Sequence, residues 1–236
     1  MIALLEGDPE RCMKVLIAKS AQPHIKAKIT ELCRANGIIF QNVESAALDR
    51  LTDGENHQGV AAYTAQMKLW EPEELLASLP AAPSPALILL CDHLQDPHNL
   101  GAIIRSAECV GAHGVVIPRR RSAGLTAVVG KTSAGAAEHL PVARVANISA
   151  ALQELKDRGL WVYGAAAEGS SPMWETDLTG PLALVIGSEG EGLGRLVRER
   201  CDFLVSIPLR GKVGSLNAST AAAVLMYEVL RQKLAK

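Results

Sequence analysis

Short apolar runs alternate with helical patterns from about residue 84 onwards. The run from Ala86 to Cys91 has the length and unbroken hydrophobicity of a strand buried on both faces. The strands predicted in this way are 86–91, 115–117, 140–145, 160–166, 182–186 and 203–207. The predicted helices are 100–110, 148–158 and an alanine-rich closing helix over 217–234. This alternation predicts an α/β fold, with a parallel sheet covered by helices on both faces.

A smaller α/β pattern precedes this part of the chain. A strand is predicted within 11–18, a helix over 24–36 that stops at Gly37, and short strands at 38–40 and 60–63. The segment from Trp70 to Pro85 has four prolines and several small residues, which predicts a linker with a short helix at 73–78. The predicted organisation is a small domain at 1–66, a linker at 67–83 and a larger domain at 84–236.

Three polar or glycine-rich loops follow predicted strands, and parallel strands would bring such loops to one edge of the sheet. The first loop, 92–105, contains Asn99 near a helix start and Arg105 six residues later, about 600° round the helix. The two side chains are therefore expected to flank a site rather than to stack. The alternative is an ordinary helix cap at Asn99 and a surface charge at Arg105.

The second loop, from Gly187 to Gly194, contains four glycines and two carboxylates. It fits neither GxGxxG nor a Walker pattern, and its carboxylates would repel a pyrophosphate. Glycine lets backbone approach a ligand closely, so the loop suits a ligand that is neutral or cationic at its reacting end, such as a sulfonium. The alternative is a loop whose acidic residues only begin a helix.

The third loop, 207–219, is basic and glycine-containing and leads into the closing helix. Ser215 and Asn217 both lie where that helix is expected to begin. Either residue could be an N-cap, and a helix start also presents free N–H groups where a substrate could dock.

Composition adds little to this picture. The 236 residues are 48% hydrophobic, 3% aromatic and 21% charged, an ordinary globular balance with a core of aliphatic residues. The net charge of −1 does not by itself indicate nucleic-acid binding, so any RNA contact must use local patches. Two candidate patches are the run Arg119, Arg120 and Arg121, and the group Arg195, Arg198, Arg200, Arg210 and Lys212. The alternative for both is a solvated face.

Cysteine and histidine spacing indicates no metal site. None of the five cysteines forms a CxxC pair, which disfavours a zinc ribbon or a redox motif and fits reduced thiols in the cytoplasm. His93 and His98 lie five positions apart, and no acidic pattern completes a ligand set. The opening residues do not resemble a secretory signal, and no stretch is long and apolar enough to cross a bilayer.

Together the three loops resemble the signature motifs of the SpoU (TrmH) branch of the SPOUT RNA methyltransferases. The matching segments are DPHNLGAIIRSAECVGAHGVVIP at 96–118, LALVIGSEGEGLGRLVRERCD at 182–202 and SIPLRGKVGSLNASTAAAVLMYE at 206–228. Further segments resemble the subfamily that methylates a guanosine ribose in 23S ribosomal RNA, and they lie at 57–62, 121–126 and 133–147. The resemblance covers nearly the whole chain.

The resemblance implies an architecture that periodicity does not reveal. The larger domain would contain a deep trefoil knot, a rare exception to ordinary connection rules. The small domain would be a ribosomal-protein-like RNA-binding fold. Relatives begin with a short strand and a glycine turn, whereas this chain opens at IALLEGDPERC, so the first strand is expected to be missing. The enzyme would be a cytoplasmic homodimer with its site completed across the interface.

The resemblance also implies S-adenosylmethionine-dependent methylation of a ribose 2′-hydroxyl in structured RNA, with a guanosine of 23S rRNA as the expected target. The cofactor would be held mainly by backbone at Gly187, Ile207 and Leu216, with Ala166 and Pro208 beside it. The residues expected at the catalytic centre are Arg105, Asn99, Glu189, Ser215 and Asn217. Arg105 would act either as the base or as an organiser of phosphate and alkoxide, and a fixed guanidinium makes the second role physically easier.

Two other functions remain open at this stage. A tRNA ribose methyltransferase would share all three motifs, so that only the small domain separates it from an rRNA enzyme. A non-catalytic RNA-binding paralogue would have lost site residues, yet all five expected at the catalytic centre are present. A dinucleotide-binding domain is disfavoured because GxGxxG is missing.

Overall fold

The computed structural model describes residues 1–52, 54, 56–65, 67–80, 85–167 and 170–235. These residues form two compact units, Met1–Met67 and Lys68–Lys236. The helices are α1 (Ile2–Gly7), α2 (Pro23–Ala35), α3 (Ser45–Leu51), α4 (Pro72–Ser78), α5 (Pro97–Cys109), α6 (Ala127–Thr132), α7 (Ile148–Asp157), α8 (Arg195–Arg200) and α9 (Ala218–Leu234). The strands are β1 (Cys12–Ala18), β2 (Ile39–Val43), β3 (Val60–Thr64), β4 (Leu87–Cys91), β5 (Gly114–Pro118), β6 (Val142–Val145), β7 (Trp161–Ala165), β8 (Ser171–Pro172), β9 (Leu182–Ile186) and β10 (Phe203–Ser206).

The first unit is a three-stranded sheet with helices on both faces. The strand order is β2-β1-β3, in which β1 runs parallel to β2 and antiparallel to β3. Alternate residues of β1 face opposite ways, so Val15 and Ile17 pack with Ile29 of α2, while Leu16 packs with Leu48 of α3. The small α/β unit predicted from the sequence is confirmed.

The second unit is built on a seven-stranded sheet, all parallel, in the order β6-β5-β4-β9-β7-β10-β8. The inner strand β4 is fully buried because helices cover both of its faces. Leu89 faces the cluster that contains Ile103 of α5 and Met226 of α9, whereas Leu90 faces the cluster that contains Leu152 of α7. The predicted parallel α/β sheet is confirmed. Within the described residues no helix has the length and hydrophobicity to cross a membrane.

The structure differs from the sequence prediction at several element boundaries. The helix expected over 100–110 begins at Pro97, because Asp96 caps it by accepting a hydrogen bond from the backbone N–H of His98 at 2.9 Å. The strand expected over 140–145 begins at Val142. The helices α3, α6 and α8 were not predicted; each has only six or seven residues, too short for a clear periodic pattern.

The segment predicted as a linker is more ordered than its composition indicates. It contains α4, close to the short helix expected at 73–78, and Leu75 of α4 is only 2% exposed. A Cβ added to Gly114 would lie 2.5 Å from a Leu75 methyl group, which shows how closely the helix packs on β5. This part of the segment therefore belongs to the second unit, while 81–84 lie outside the described residues.

Candidate functional site

Four neighbouring strands of the larger sheet carry the candidate site at their carboxyl ends. The strands β4, β9, β7 and β10 lie side by side and run parallel. The chain therefore leaves all four at the same edge, at Asp92, Gly187, Ala166 and Ile207. Open α/β sheets bind ligands at this edge.

Three polar side chains, one from each loop singled out in the sequence, meet here in a hydrogen-bonded group that we call the amide-carboxylate cluster. Asn99 Nδ2 donates to Glu189 Oε1 at 2.6 Å. Asn217 Nδ2 donates to the same oxygen at 2.6 Å and to Asn99 Oδ1 at 2.9 Å. Asn99 is buried at 6% exposure, whereas Glu189 and Asn217 are exposed. The cluster therefore joins segments far apart in the chain and still faces solvent on one side.

Helix capping explains why these two asparagines point into the cluster. Asn217 is the N-cap of α9, and its Oδ1 accepts from the backbone N–H groups of Ser219 and Thr220 at 3.0 and 3.2 Å. This leaves its Nδ2 free to donate across the site. Because Asp96 caps α5, Asn99 lies within the first turn and its side chain is not used as a cap. The alternative that Asn99 is a helix cap is therefore wrong, whereas Asn217 is both the N-cap of α9 and a member of the cluster.

Sequence reasoning missed Asp92, a buried residue that joins two of the loops. Its side chain has 0% exposure at the end of β4. Its Oδ2 accepts the backbone N–H of Gly194 at 2.8 Å, and its Oδ1 lies 2.6 Å from Nδ1 of His93. A buried carboxylate is costly unless it is hydrogen-bonded, so this residue holds the first loop against the second. A charged residue directly after a wholly apolar strand was the available signal.

Gly187 is required by the shape of the second loop. Ser188 and Gly192 exchange backbone hydrogen bonds at 3.0 and 2.9 Å, which folds the loop back on itself. A Cβ on Gly187 would collide with the backbone carbonyl group of Gly192. The tight return presents Glu189 at the tip, where it meets the two asparagines. The structure thus shows that Gly187 is needed because the loop's own backbone approaches it closely, whereas the close approach to a ligand stays a prediction.

Two predicted catalytic residues do not join the cluster. Arg105 lies on the exposed face of α5, and its side chain makes no hydrogen bond or ion pair with any described residue. Ser215 is exposed in the segment before α9 and has no hydrogen-bond partner within the described part of the chain. Buried Asn99 and exposed Arg105 lie on different faces of α5, as their spacing predicts.

The residues expected to line the cofactor lie at or beside the strand ends. Gly187, Ile207, Ala166 and Pro208 are half-buried, and Leu216 is 38% exposed. The backbone N–H of Ala166 donates to the carbonyl of Val205 at 3.0 Å, which holds the ends of β7 and β10 together. Within the described ranges, no three His, Cys, Asp or Glu side chains are grouped closely enough to hold a metal ion.

Two family models match the chain, one for each unit. The SpoU rRNA Methylase family matches residues 86–227, and the model described as RNA 2′-O ribose methyltransferase substrate binding matches residues 1–70. A putative TrmH family tRNA/rRNA methyltransferase of Bacillus subtilis, YacO, is 46% identical over 99% of this chain and 93% of its own length. The 23S rRNA (guanosine-2′-O-)-methyltransferase RlmB of Xylella fastidiosa is 43% identical over 99% of this chain and 94% of its own length.

Solved structures agree with these relatives. An RNA 2′-O ribose methyltransferase superposes with a TM-score of 0.81 at 28% identity, over 99% of this chain and 87% of that one. The SpoU methyltransferase AviRb of Streptomyces viridochromogenes superposes with a TM-score of 0.79 at 25% identity, over 100% and 88% of the two chains. These superpositions show that the chain is an α/β protein with the fold of the SpoU methyltransferases. The chain belongs to the SpoU rRNA Methylase family.

Proposed function

We propose that this enzyme methylates the ribose 2′-hydroxyl of a guanosine in 23S rRNA, with S-adenosylmethionine as the methyl donor. The observation that carries the proposal is the amide-carboxylate cluster, because it joins residues of all three motifs at the ligand-binding edge of the sheet. Relatives named as 23S rRNA guanosine-2′-O-methyltransferases, at 42–44% identity over nearly the whole chain, support the choice of RNA.

The strand-end edge suits the chemistry of this cofactor. The residues proposed to hold the cofactor are Gly187, Ile207, Leu216, Ala166 and Pro208. None of them has a charged side chain, so they would bind the adenosine and methionine parts mainly through backbone groups. The cluster contains one carboxylate, Glu189, and no cationic side chain, which favours a sulfonium over a pyrophosphate. When bound, S-adenosylmethionine supplies an electrophilic methyl group. AviRb has also been solved in complex with AdoMet.

The polypeptide's part in the reaction is to position the ribose and stabilise charge on its oxygen. Asn99, Glu189 and Asn217 hold one another in fixed orientation, so the 2′-hydroxyl meets preorganised polar groups. Arg105 would hold the neighbouring phosphate and stabilise the negative charge that develops on the ribose oxygen as the hydroxyl proton passes to solvent. Ser215, exposed just before α9, would contact the ribose.

The same proposal assigns roles beyond the cluster. The domain at 1–66 would bind the RNA substrate, with support from the substrate-binding family model. The enzyme would work as a cytoplasmic homodimer that brings the exposed Arg105 to its partner's site; Tyr227 and Leu234 on α9, 52% and 78% exposed, support an interface on that helix. The deep trefoil knot is supported by the match of residues 86–227 to the SpoU rRNA Methylase family.

The test is to incubate the purified chain with a 23S rRNA transcript and S-adenosylmethionine carrying a labelled methyl group, and to map the product by mass spectrometry. We expect one 2′-O-methylguanosine. A label on a base, or on tRNA but not on 23S rRNA, would contradict the proposal.

A pair of asparagine caps gives a matched control. Asn217 and Asn147 both cap helices, since Asn147 Oδ1 accepts from the Ser149 N–H at 2.8 Å, but only Asn217 belongs to the cluster. Each substitution by alanine should cost about 1 kcal/mol of stability through the lost cap. Only Asn217→Ala should also lower methyl transfer, by roughly a hundredfold.

A further inference from the structure

The run Arg119, Arg120 and Arg121, which we call the arginine loop, lies beside the candidate site. It directly follows β5, and β5 pairs in parallel with β4, whose carboxyl end begins the first motif loop at Asp92. Neighbouring strands lie about 4.8 Å apart, so the arginine loop and the motif loop leave the sheet side by side. Both are at the edge that carries the amide-carboxylate cluster.

Hydrogen bonds on three sides hold the backbone of the arginine loop. The N–H of Arg119 donates to the carbonyl of Val145 at 2.8 Å, and its carbonyl accepts from Nη2 of Arg144 at 3.1 Å. Two residues beyond the loop, the N–H of Ala123 donates to the carbonyl of Leu94 at 2.7 Å. Since Leu94 belongs to the first motif loop and is only 2% exposed, the arginine loop is anchored to the segment that carries Asn99.

Arg121 adopts an unusual backbone conformation. Its φ is +56°, in the left-handed region that L side chains rarely occupy. Such a residue costs free energy that its surroundings must offset, and conformations of this kind cluster where a side chain must be aimed at a ligand. The backbone hydrogen bonds of Arg119 and Ala123, on either side of Arg121, hold it in a conformation that an unconstrained arginine rarely adopts.

The positive charges of the arginine loop are largely uncompensated. Arg119 pairs with Glu71 at 3.4 Å, and both side chains are exposed. Arg120 and Arg121 are exposed and form no ion pair with the residues that the structure describes. Arg144, which lies against the loop, has a buried Nε without a partner in the same residues. In a chain of net charge −1, this is a local concentration of cations on a fixed backbone.

We propose that Arg120 and Arg121 hold backbone phosphates of the RNA strand next to the nucleotide that is methylated. Guanidinium groups match phosphate oxygens in charge and geometry. Phosphate contacts fix the register and orientation of a nucleic acid without reading its sequence, which is what delivery of one ribose to the cluster requires. This inference rests on the proposed function, because it assumes that the cluster receives an RNA ribose.

The test measures binding of the full chain to a 23S rRNA transcript, without cofactor, over a series of salt concentrations. We expect Arg120→Gln to reduce the dependence of log affinity on log salt by about 0.7, the value for one phosphate contact on a single strand. The double variant with Arg121→Gln should lose about 1.4 and bind roughly tenfold more weakly at moderate salt.

Arg158→Gln is the matched control. Arg158 is also exposed, but it directly follows α7, at the opposite edge of the sheet, where its Nη1 donates to the carbonyl of Leu76 at 3.2 Å. We expect this variant to keep the affinity and salt dependence of the wild type. The Arg120 and Arg121 variants should bind S-adenosylhomocysteine as the wild type does, since the proposed contacts are made to RNA phosphate and not to the cofactor.

Three results would overturn the inference. They are an unchanged salt dependence in Arg120→Gln, an equal loss in Arg158→Gln, or a loss of cofactor affinity that matches the loss of RNA affinity. A loop that served an acidic protein instead would give the first of these. If the double variant unfolds because Arg121 is strained, the single Arg120→Gln variant decides the matter. A wild type that binds this RNA but does not methylate it would defeat the proposed function alone.

Discussion

The two edges of the seven-stranded sheet differ in how their polar groups are paired. At the carboxyl edge, Asn99, Glu189 and Asn217 satisfy one another while one side remains open to solvent. At the amino edge, Lys233 and His113 line a cavity of about 290 Å³ whose other walls are mainly apolar. Burial lowers the pKa of Lys233 to about 8, and burial followed by the charge of Lys233 lowers the pKa of His113.

The polar groups at the carboxyl edge are arranged as a ligand site requires, whereas those at the amino edge are buried because a helix covers the sheet there. Lys233 Nζ donates to the carbonyl of Pro85 at 2.6 Å, and no carboxylate is paired with it in the described chain. The closing helix thus supplies a cluster residue just before its first turn and a desolvated cation in its last. Variants at the carboxyl edge should therefore affect chemistry, whereas variants at the amino edge should affect only stability.

The largest effect is expected from Arg105→Ala. Loss of the guanidinium should lower methyl transfer by about a thousandfold, because charge on the ribose oxygen would lose its stabilising partner. Cofactor affinity, measured by calorimetry with S-adenosylhomocysteine, should change little. Lys233→Met, at the amino edge of the sheet, is the control and should leave kcat unchanged. A fall in cofactor affinity as large as the fall in rate would mean that Arg105 supports the cofactor site rather than the reaction.

The next largest effect is expected from Gly187→Ala. The new methyl group would overlap the backbone of Gly192, so the second loop must open, at a cost of roughly 3 kcal/mol in the free energy of unfolding. Gly190→Ala in the same loop has no atom within 4 Å of the added Cβ and should be nearly neutral. Denaturant midpoints at constant m-value measure both. Equal midpoints for the two variants would show that the loop is not held as described.

Asp92→Ala should have a smaller effect on stability. It removes the acceptor for the Gly194 N–H and the partner of His93, so we expect a loss of about 2 kcal/mol. Because the two loops would separate, methyl transfer should fall together with the protection of the Gly194 amide from hydrogen exchange. A variant that loses stability but keeps full activity would show that Asp92 serves only the fold.

The sequence predicted the sheet more completely than the site. Unbroken apolar runs such as Leu87–Cys91 identify buried strands, because period and burial are local properties. Motif resemblance predicted Asn99, Glu189 and Asn217 as site residues, but their mutual hydrogen bonds depend on the order of the strands, which periodicity does not encode. Asp92 was missed because its partner, Gly194, is 102 positions away in the chain. The packing of α4 was missed because the four prolines of the segment indicated a linker, and nothing in its composition indicated the contact of Leu75 with Gly114.

The smallest expected effect concerns the amino edge and depends on pH. In the unfolded chain the pKa of a lysine is about 10.4. In the folded chain burial lowers the pKa of Lys233 to about 8. Between these values the unfolded state binds more protons, so the contribution of Lys233 to stability rises with pH. Below pH 8 the full cost of the buried ammonium is present. Allowing for solvent screening of a partly exposed group, we expect a gain of about 1 kcal/mol across this range.

Comparison with Lys233→Met isolates the contribution of Lys233 to the pH dependence of stability. Burial raises the pKa of Tyr163, and it raises the pKa of Cys201 to about 11, so these groups lower stability as pH rises in both proteins. The variant also loses the hydrogen bond to Pro85, which shifts its curve by a nearly constant amount. The difference in unfolding free energy between wild type and variant should therefore grow in favour of the wild type from pH 8 upward. Parallel curves of unfolding free energy against pH would show that Lys233 is solvated. The amino edge would then resemble the solvent-exposed carboxyl edge more closely than the burial of Lys233 indicates.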